Sequence, residues 1–262
     1  GAADQLGGVI AQMIATKIML ELRGEGSLKG AIVRSIATAA EEDNDGGGPM
    51  HFMKDVLKGA GPEMIPDVVI LSEGTGDSAK GGVGIYRGQR GRMQIEVDVV
   101  GRSCHGSMPW EGLNPLEYAA QILVEARQAY DKRDGFLDNE FLGHGTRTAS
   151  WATLSSPSDC AVPDRFVFRF DRRLTEGEMP KAAVAAIENL PGVAKARADG
   201  LTVTVGVPEY TEKTWKGYSP NNPMIYMGWV TPEEHPVLEA ARGAYADCVT
   251  PLVPENSPQT GG

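Results

Sequence analysis

The chain has 262 residues, enough for one large domain or two ordinary ones, with a formal net charge of −10 and a sequence pI near 5.0. This charge would repel a phosphate backbone, which argues against nucleic-acid binding, and no run of about 18 apolar residues is present to span a membrane. The three cysteines form no C-x-x-C pair, which disfavours a disulfide framework and fits a reducing cytoplasm.

The first part of the chain alternates helical and β-rich patterns. Apolar residues recur at three- and four-residue steps from Gly8 to Leu22, which predicts an amphipathic helix. Two β-rich runs follow at 31–38 and 67–72, and the helical pattern GPMHFMKDVLKGAG lies between them. This order predicts a parallel sheet under helices, with ligands at the carboxyl ends of its strands.

The pattern changes near residue 88. The run MQIEVDVVG alternates apolar and polar residues, as in a strand with one solvated face. Asn114, Pro115 and Glu117 then form a capping box that opens a helix. Later runs predict strands at 147–154, 165–174 and 201–207, and a helix over Pro180–Leu190.

The resulting β-α-β-β-α-β order is that of a ferredoxin-like α+β domain. We therefore predict that residues 88–210 form such a domain, inserted into an α/β domain made of residues 1–87 and 211–262. A final capping box, TPEE, predicts a helix over 232–247.

Acidic side chains follow both predicted strands of the first part. Glu41 and Glu42 come directly after one strand and Glu73 after the other, so all three are expected at the ligand-binding crevice. Neighbouring side chains on an extended strand point to opposite sides, which favours separate jobs for Glu41 and Glu42, one as metal ligand and one as base toward a metal-bound water. The alternative is a solvated acidic turn. Asp4 precedes the first helix and is either functional or only an N-cap.

Three further residues could contact a substrate in the second part. His105 can donate a hydrogen bond to a developing oxyanion, or it is simply an exposed loop residue. Arg172 and Arg173 end a predicted strand and could bind a carboxylate through the guanidinium fork, or they form surface salt bridges.

The glycine-rich GTGDSAKGG lacks a G-K-[ST] ending, which excludes a phosphate-binding P-loop.

The order of these segments resembles the M20 family of metallopeptidases and amidohydrolases. The similar stretches are GAADQLGG, AAEEDNDG, SEGTGD, YRGQRGRMQIEVDVVGRSCHGSMPWEGLNP and DRRLTEGE. Within the family they are most similar to the YgeY-type hydrolases linked to selenium metabolism. The resemblance implies a catalytic α/β domain, with a mixed sheet between helices, and an inserted ferredoxin-like lid that also forms a dimer.

The resemblance also implies a centre of two divalent metal ions, zinc by expectation, with cobalt or manganese as alternatives. By position, Asp4 matches the bridging ligand, Glu41 the general base, Glu42 a terminal ligand, and Glu73 the ligand of the other ion. Two family histidine ligands are expected to be missing from this chain, since their positions are filled by none of His51, His144 and His235. The chain is therefore interpreted as an internal fragment of a longer hydrolase. We expect this fragment to bind metal poorly and to be inactive.

In the family's dimers, the histidine that His105 matches reaches the partner subunit's site. Arg173, in preference to Arg172, matches the arginine that binds the substrate carboxylate. The implied activity is hydrolysis of amide or peptide bonds in small peptides or N-acyl amino-acid-like substrates by a homodimer. The alternative is a non-catalytic module that serves dimerisation or ligand binding.

Overall fold

The structure is a computed structural model that describes residues 5–42, 46–73 and 84–248. Its helices are α1 (Gly7–Gly24), α2 (Gly47–His51), α3 (Pro115–Asp131), α4 (Pro180–Glu188), α5 (Pro191–Ala198) and α6 (Pro236–Cys248). Its strands are β1 (Gly88–Gln89), β2 (Gly91–Val100), β3 (Asp138–Asn139), β4 (Gly143–His144), β5 (Thr146–Ser155), β6 (Arg165–Leu174), β7 (Thr202–Gly206), β8 (Glu209–Tyr210), β9 (Asn222–Pro223), β10 (Ile225–Tyr226) and β11 (Trp229–Val230).

The chain divides into two compact units. Unit 1 comprises Gly1–Tyr86, Glu212–Pro220 and Glu233–Gly261, and unit 2 comprises Arg87–Thr211 and Asn221–Pro232. Each unit is described separately below.

Unit 2 is built on a five-stranded antiparallel sheet. Strand β2 pairs with β6 along one edge, and with β7 and β10 along the other, while β5 pairs with the far side of β6. The order β7-β2-β6-β5 and the connections through α3 and α4 reproduce the β-α-β-β-α-β pattern expected from the sequence. The sheet thus leaves one long edge, that of β5, without a strand partner among the described residues.

The alternating pattern of β2 separates the two faces of this sheet. Met93, Ile95, Val97 and Val99 are all 0% exposed and pack in the core under the helices. The largest side chains around them include Ile122 of α3, Phe168 of β6, Ile187 of α4 and Val193 of α5. Full burial of each such side chain contributes about 1.5–3 kcal/mol, so this core is the main source of stability in unit 2.

The predicted start of α3 is confirmed. Asn114 Oδ1 accepts a hydrogen bond from the backbone N–H of Leu116 at 3.1 Å, and Pro115 occupies the first helical position. Glu117 completes the cap through the side-chain amide of Asn114, at 3.0 Å. Helix α5 was not predicted: Pro191 starts a new helix where the predicted one ends, and it is followed by the fully buried Val193.

Helix α1 in unit 1 confirms the first predicted helix, and the glycines after it end it as expected. Gly26 has a φ of 82°, a left-handed conformation that favours glycine. None of the side chains of α1 is buried. The second helical pattern forms α2 and continues as a π-helical turn over Phe52–Val56.

The predicted strands at 31–38 and 67–72 are wrong, and with them the parallel sheet expected of these two runs. Both runs are irregular, and their apolar residues are exposed, with Ile32 at 67% and Ile70 at 83%. A β-rich run becomes a strand only where another strand takes up its backbone hydrogen bonds. No described residue pairs with either run.

The last helix begins later than the TPEE motif predicts. It starts at Pro236, and His235 Nδ1 accepts a hydrogen bond from the backbone N–H of Val237 at 3.3 Å. His235 therefore caps the helix, and Pro236 takes the first position, where the missing N–H costs nothing. No helix in the described part of the chain is long and apolar enough to cross a membrane.

Candidate functional site

The chain does not stay extended where the acidic stretch of unit 1 begins, at Ala40 to Glu42. Ala40 has a φ of 57°, and the backbone N–H of Gly46 donates to the carbonyl of Glu41 at 2.9 Å. Gly48 allows the start of α2 to lie against Ala39, because a Cβ at Gly48 would come 2.0 Å from the Ala39 oxygen. Both Glu41 and Glu42 are exposed.

This bend removes the geometric argument for opposite orientations of the two glutamates. That argument assumed an extended chain through Ala40, whereas Ala40 has a left-handed φ and the chain bends at Glu41 and Glu42. The separate roles of Glu41 and Glu42 now depend on the family resemblance alone. Residues 43–45 of the acidic stretch lie outside the described residues.

Glu73 is placed beside the start of α1. Its Oε1 accepts from Gln5 Nε2 at 2.5 Å, and seven residues further along the chain, within α1, Gln12 Nε2 donates to Ser72 Oγ at 2.7 Å. Gly8 permits this approach, because a Cβ there would come 2.2 Å from the Ser72 carbonyl oxygen. The structure thus brings the residue that follows Asp4 in sequence into contact with Glu73. Asp4 itself lies outside the described residues.

These carboxylates do not assemble a metal centre in the described part of the chain. Over residues 5–42, 46–73 and 84–248, no group of three or more His, Cys, Asp or Glu could hold an ion. Glu73 is engaged by an amide donor, a group that cannot ligate the same ion through its nitrogen. The described residues alone therefore do not complete a two-ion centre, and no step below passes through a metal.

His105 lies on a closed loop of unit 2, residues 103–112, which we call the His105 loop. Its base is a two-way backbone pair between Arg102 and Leu113, at 3.0 and 2.9 Å. Residues 104–106 of the loop pair with the segment around Ala161. The backbone N–H of Gly106 donates to the Cys160 carbonyl at 2.8 Å, and that of Val162 donates to the Cys104 carbonyl at 2.9 Å, on either side of the His105–Ala161 bridge. The histidine is thus exposed but carried on a fixed backbone.

The ring of His105 is oriented by Ser107. The backbone N–H of Ser107 donates to His105 Nδ1 at 3.2 Å, and Ser107 Oγ lies 2.8 Å from the same nitrogen. Because Nδ1 accepts from an N–H, the neutral ring carries its proton on Nε2. His105 therefore presents an Nε2–H donor to solvent, which suits the hydrogen bond to an oxyanion expected from the sequence.

Arg172 has a structural role in this fold. Its side chain is 3% exposed, its Nη2 donates to Glu178 Oε1 at 2.7 Å, and its guanidinium lies 4.1 Å from the centre of the Phe136 ring. Arg147, opposite it on β5, is also buried, and burial followed by the charge of Arg172 lowers the pKa of Arg147 to about 10. Arg172 is thus committed to the interior, and Arg173 is left as the arginine that faces solvent.

Arg173 points to the other face of the sheet, where its partner is Asp171. Arg173 Nε donates to Asp171 Oδ1 at 2.8 Å, and its side chain is 43% exposed. Asp171 had not been singled out from the sequence. The sequence could have identified Asp171 as a neighbour of Arg173, because residues two positions apart on a strand project from the same face.

Comparison with known proteins finds a known domain in unit 2 and several similar proteins. Residues 87–198 match the model of the peptidase dimerisation domain M20_dimer. The chain is 36% identical over 245 residues to the uncharacterised protein YgeY of Escherichia coli (strain K12). The aligned region covers 94% of this chain and 55% of YgeY. It is 27% identical over 132 residues to a probable succinyl-diaminopimelate desuccinylase of Staphylococcus aureus (strain Mu50 / ATCC 700699), covering 50% of this chain and 29% of that protein.

A solved structure is also similar. It is an amidase of the hydantoinase/carbamoylase family from Burkholderia vietnamiensis, with a TM-score of 0.45 and 18% identity, covering 68% of this chain and 37% of that one. The chain spans about half the length of YgeY, the most extensively matched of these relatives. Residues 87–198 of this chain thus carry the peptidase dimerisation domain M20_dimer, and the chain is similar to YgeY along nearly all of its length.

Proposed function

We propose that this protein is a hydrolase of amide or peptide C–N bonds in small substrates that carry a carboxylate. The observation that carries the proposal is the fixed Nε2–H donor of His105, held on a paired loop within the family's dimerisation domain. A donor that is already oriented stabilises the oxyanion formed when water attacks an amide carbonyl, without a cost of reorganisation during the reaction. Relatives with peptidase and desuccinylase descriptions point to the same class of bond.

We assign the other roles by the family pattern. Glu41 accepts the proton of the attacking water and returns it to the leaving nitrogen. Asp4, Glu42 and Glu73 are the proposed metal ligands for two divalent ions, zinc by preference, with cobalt or manganese as alternatives; bound metal would supply Lewis acidity. Arg173 binds the substrate carboxylate through its guanidinium.

The domain roles follow from these assignments. Residues 1–87 and 211–262 are proposed as two parts of a catalytic α/β domain, and residues 88–210 as its inserted lid and dimerisation domain. A second candidate function is a non-catalytic module for dimerisation or ligand binding. It is favoured by one observation, that the described residues assemble no metal site.

A substrate and metal survey of the full-length gene product separates the two functions. Short peptides and N-acyl amino acids would be assayed beside their C-terminal amides, with and without a chelator. Hydrolysis that requires the free carboxylate, stops on chelation and returns with zinc, cobalt or manganese is the expected result. A fully metallated protein that cleaves none of these compounds would favour the binding module, and hydrolysis that a chelator leaves unchanged would reject the metal centre.

We also propose that unit 2 forms a homodimer through the free edge of β5. The side chains of residues 148–155 are all exposed, and their sequence TASWATLS contains neither a charge nor a proline. Edge strands that remain unpaired usually carry charged residues or prolines. These residues prevent the open row of backbone N–H and C=O groups from pairing with another chain. A second copy running antiparallel about a two-fold axis would satisfy this edge.

Lysines on that edge are expected to dissociate the dimer. The double substitution Thr148→Lys and Thr153→Lys places like charges near the axis, and we expect the dimer to weaken at least about tenfold. The matched control is Thr202→Lys on β7, at the opposite side of the sheet. Sedimentation velocity over a concentration series measures the change. A dimer that survives the double substitution, or is lost equally in the control, would place the interface elsewhere.

A further inference from the structure

An open groove of about 720 Å³ lies on unit 2, between helix α4 and the end of strand β7. Val184 and Ala185 form its helical side, Val205 lies on the strand side, and Ile225 of β10 also lines it. Val184, Val205 and Ile225 pack against the core and are half-buried. The groove, which we call the α4–β7 groove, therefore presents apolar side chains to solvent beside a sheet edge.

The backbone of β7 has open hydrogen-bonding groups at this edge. Strand β7 pairs with β2 on one side and has no strand on its other side among the described residues. The carbonyl of Val203 faces away from β2, because it accepts from Arg197 Nε at 3.0 Å and from Arg197 Nη2. Backbone direction alternates along a strand, so Val205 also faces outward. Its N–H and C=O have no partner in the part of the chain that the structure describes.

The charges of the groove differ between its two ends. At one end Arg197, which bonds Val203, also donates to Glu188 Oε1 at 2.6 Å, so these two charges neutralise each other. Lys181 precedes Glu188 by seven residues on α4, about 10 Å along the helix, and therefore lies at the other end. Lys181 has no hydrogen-bond or ion-pair partner among the described residues. The groove thus has one positive charge without a counter-charge at this end.

We propose that the α4–β7 groove binds an extended acidic and apolar peptide segment of a partner protein, which adds as a strand to the open end of β7. The N–H and C=O of Val205 require an occupant that both donates and accepts at the spacing of a strand. A peptide backbone meets this requirement and an acyl chain does not. The side chains of the segment supply an apolar group for the surface at Val184 and a carboxylate for Lys181.

The direction and length of the segment follow from the same geometry. Antiparallel pairing is the more stable arrangement, and β7 runs from the Arg197 end of the groove toward the Lys181 end. An antiparallel segment therefore has its amino end at Lys181, so its acidic residue precedes its apolar residues. The distance of about 10 Å corresponds to about three residues of strand. Alternate residues face the groove, which gives the pattern acidic-x-apolar-x-apolar.

Fluorescence anisotropy with synthetic peptides on the full chain tests this docking site. The probe is a labelled peptide DTVTVT with blocked ends, whose aspartate and valines share one face. One matched peptide, NTVTVT, lacks the charge. Two others are N-methylated, either on both valines or on two of the threonines. Directly opposed residues of the bonded type exchange both backbone hydrogen bonds, so the valines opposite Val205 direct their N–H groups toward β7 and the threonines direct theirs away.

We expect saturable binding of DTVTVT to the unsubstituted chain. Methylation of the valines should abolish binding, whereas methylation of the threonines should change it little. The peptide NTVTVT should bind about threefold more weakly, which is the contribution of an exposed ion pair. In Lys181→Gln the two unmethylated peptides should bind equally, because the charge that distinguishes them is gone.

A substitution in the groove tests its apolar side. Ala185→Glu places a carboxylate among apolar side chains and should weaken binding at least about tenfold. The matched control is Ala186→Glu, one residue further along α4, which is exposed, lies outside the groove and should leave binding unchanged. Circular dichroism checks the fold of both variants, and if Ala185→Glu does not fold, the methylated peptides decide the question on the unsubstituted chain.

Three results would each overturn the docking site. They are the absence of saturable DTVTVT binding at millimolar concentration, equal effects of the two methylation patterns, and equal weakening by Ala185→Glu and Ala186→Glu in folded protein. Unequal binding of the charged and uncharged peptides that persists in Lys181→Gln would reject Lys181 as the partner of the carboxylate.

Discussion

Replacing Glu178 with alanine is expected to lower the free energy of unfolding of unit 2 by about 3–5 kcal/mol. Glu178 Oε1 accepts from Arg172 Nη2 at 2.7 Å and from the backbone N–H of Leu137 at 2.9 Å, and its Oε2 accepts from the backbone N–H of Thr175 at 2.8 Å. Its side chain is 4% exposed, so water cannot replace these contacts. The substitution would leave two buried guanidiniums, Arg172 and Arg147, with no carboxylate between them.

Urea denaturation followed by circular dichroism measures this loss. The matched control is Glu176→Ala, two residues away, where an exposed carboxylate accepts one hydrogen bond from Asn139 and should contribute less than about 1 kcal/mol. Equal effects of the two substitutions would show that the buried ion pair is not important for stability. The pair Arg172→Met with Glu178→Leu should recover part of the loss, because the Arg172 charge is then no longer buried without its carboxylate, while Arg147 keeps its hydrogen bond to the Ala126 carbonyl.

The second large effect is expected at Glu41. In the full-length gene product, Glu41→Gln should lower kcat by a factor on the order of 10² to 10⁴, because glutamine keeps the size of the side chain but cannot accept the proton of water. Metal content should be unchanged. The measurements are steady-state kinetics and elemental analysis on the same preparation.

Two comparisons make this result specific. Glu63→Gln, an exposed carboxylate of the same unit, should leave kcat unchanged. Glu42→Ala should lower the metal content, since we propose Glu42 as a ligand and not as the base. Turnover that survives Glu41→Gln would exclude it as the base, and full metal occupancy in Glu42→Ala would exclude that residue as a ligand.

Local patterns predicted most of unit 2. The alternation in MQIEVDVVG identified the buried side of β2, because period two separates the faces of any strand that is covered on one side. The cap at Asn114 was equally visible, since it depends on neighbouring residues alone. The α4–β7 groove was not visible, because it depends on how a helix packs beside a strand that is distant in sequence.

Unit 1 shows the limit of the same patterns. The apolar runs around Ile32 and Ile70 have β-rich composition, yet a strand is stable only with partners, and composition does not identify them. The predicted opposite orientations of Glu41 and Glu42 lost their basis for a related reason. That prediction assumed that the extended conformation of the preceding run continued through Ala40. What remained usable was the position of Glu73 after the second run, which the structure places beside the start of α1.

The paired base of the His105 loop has a consequence for how this protein can be altered. The loop leaves and rejoins the body of unit 2 at the pair Arg102–Leu113, and residues 104–106 are also paired with the segment around Ala161. Its tip, including the exposed Trp110, can therefore be lengthened, shortened or exchanged as a cassette without a change of register in the sheet. A change confined to residues 108–111 is therefore expected to leave His105 and its paired backbone in place.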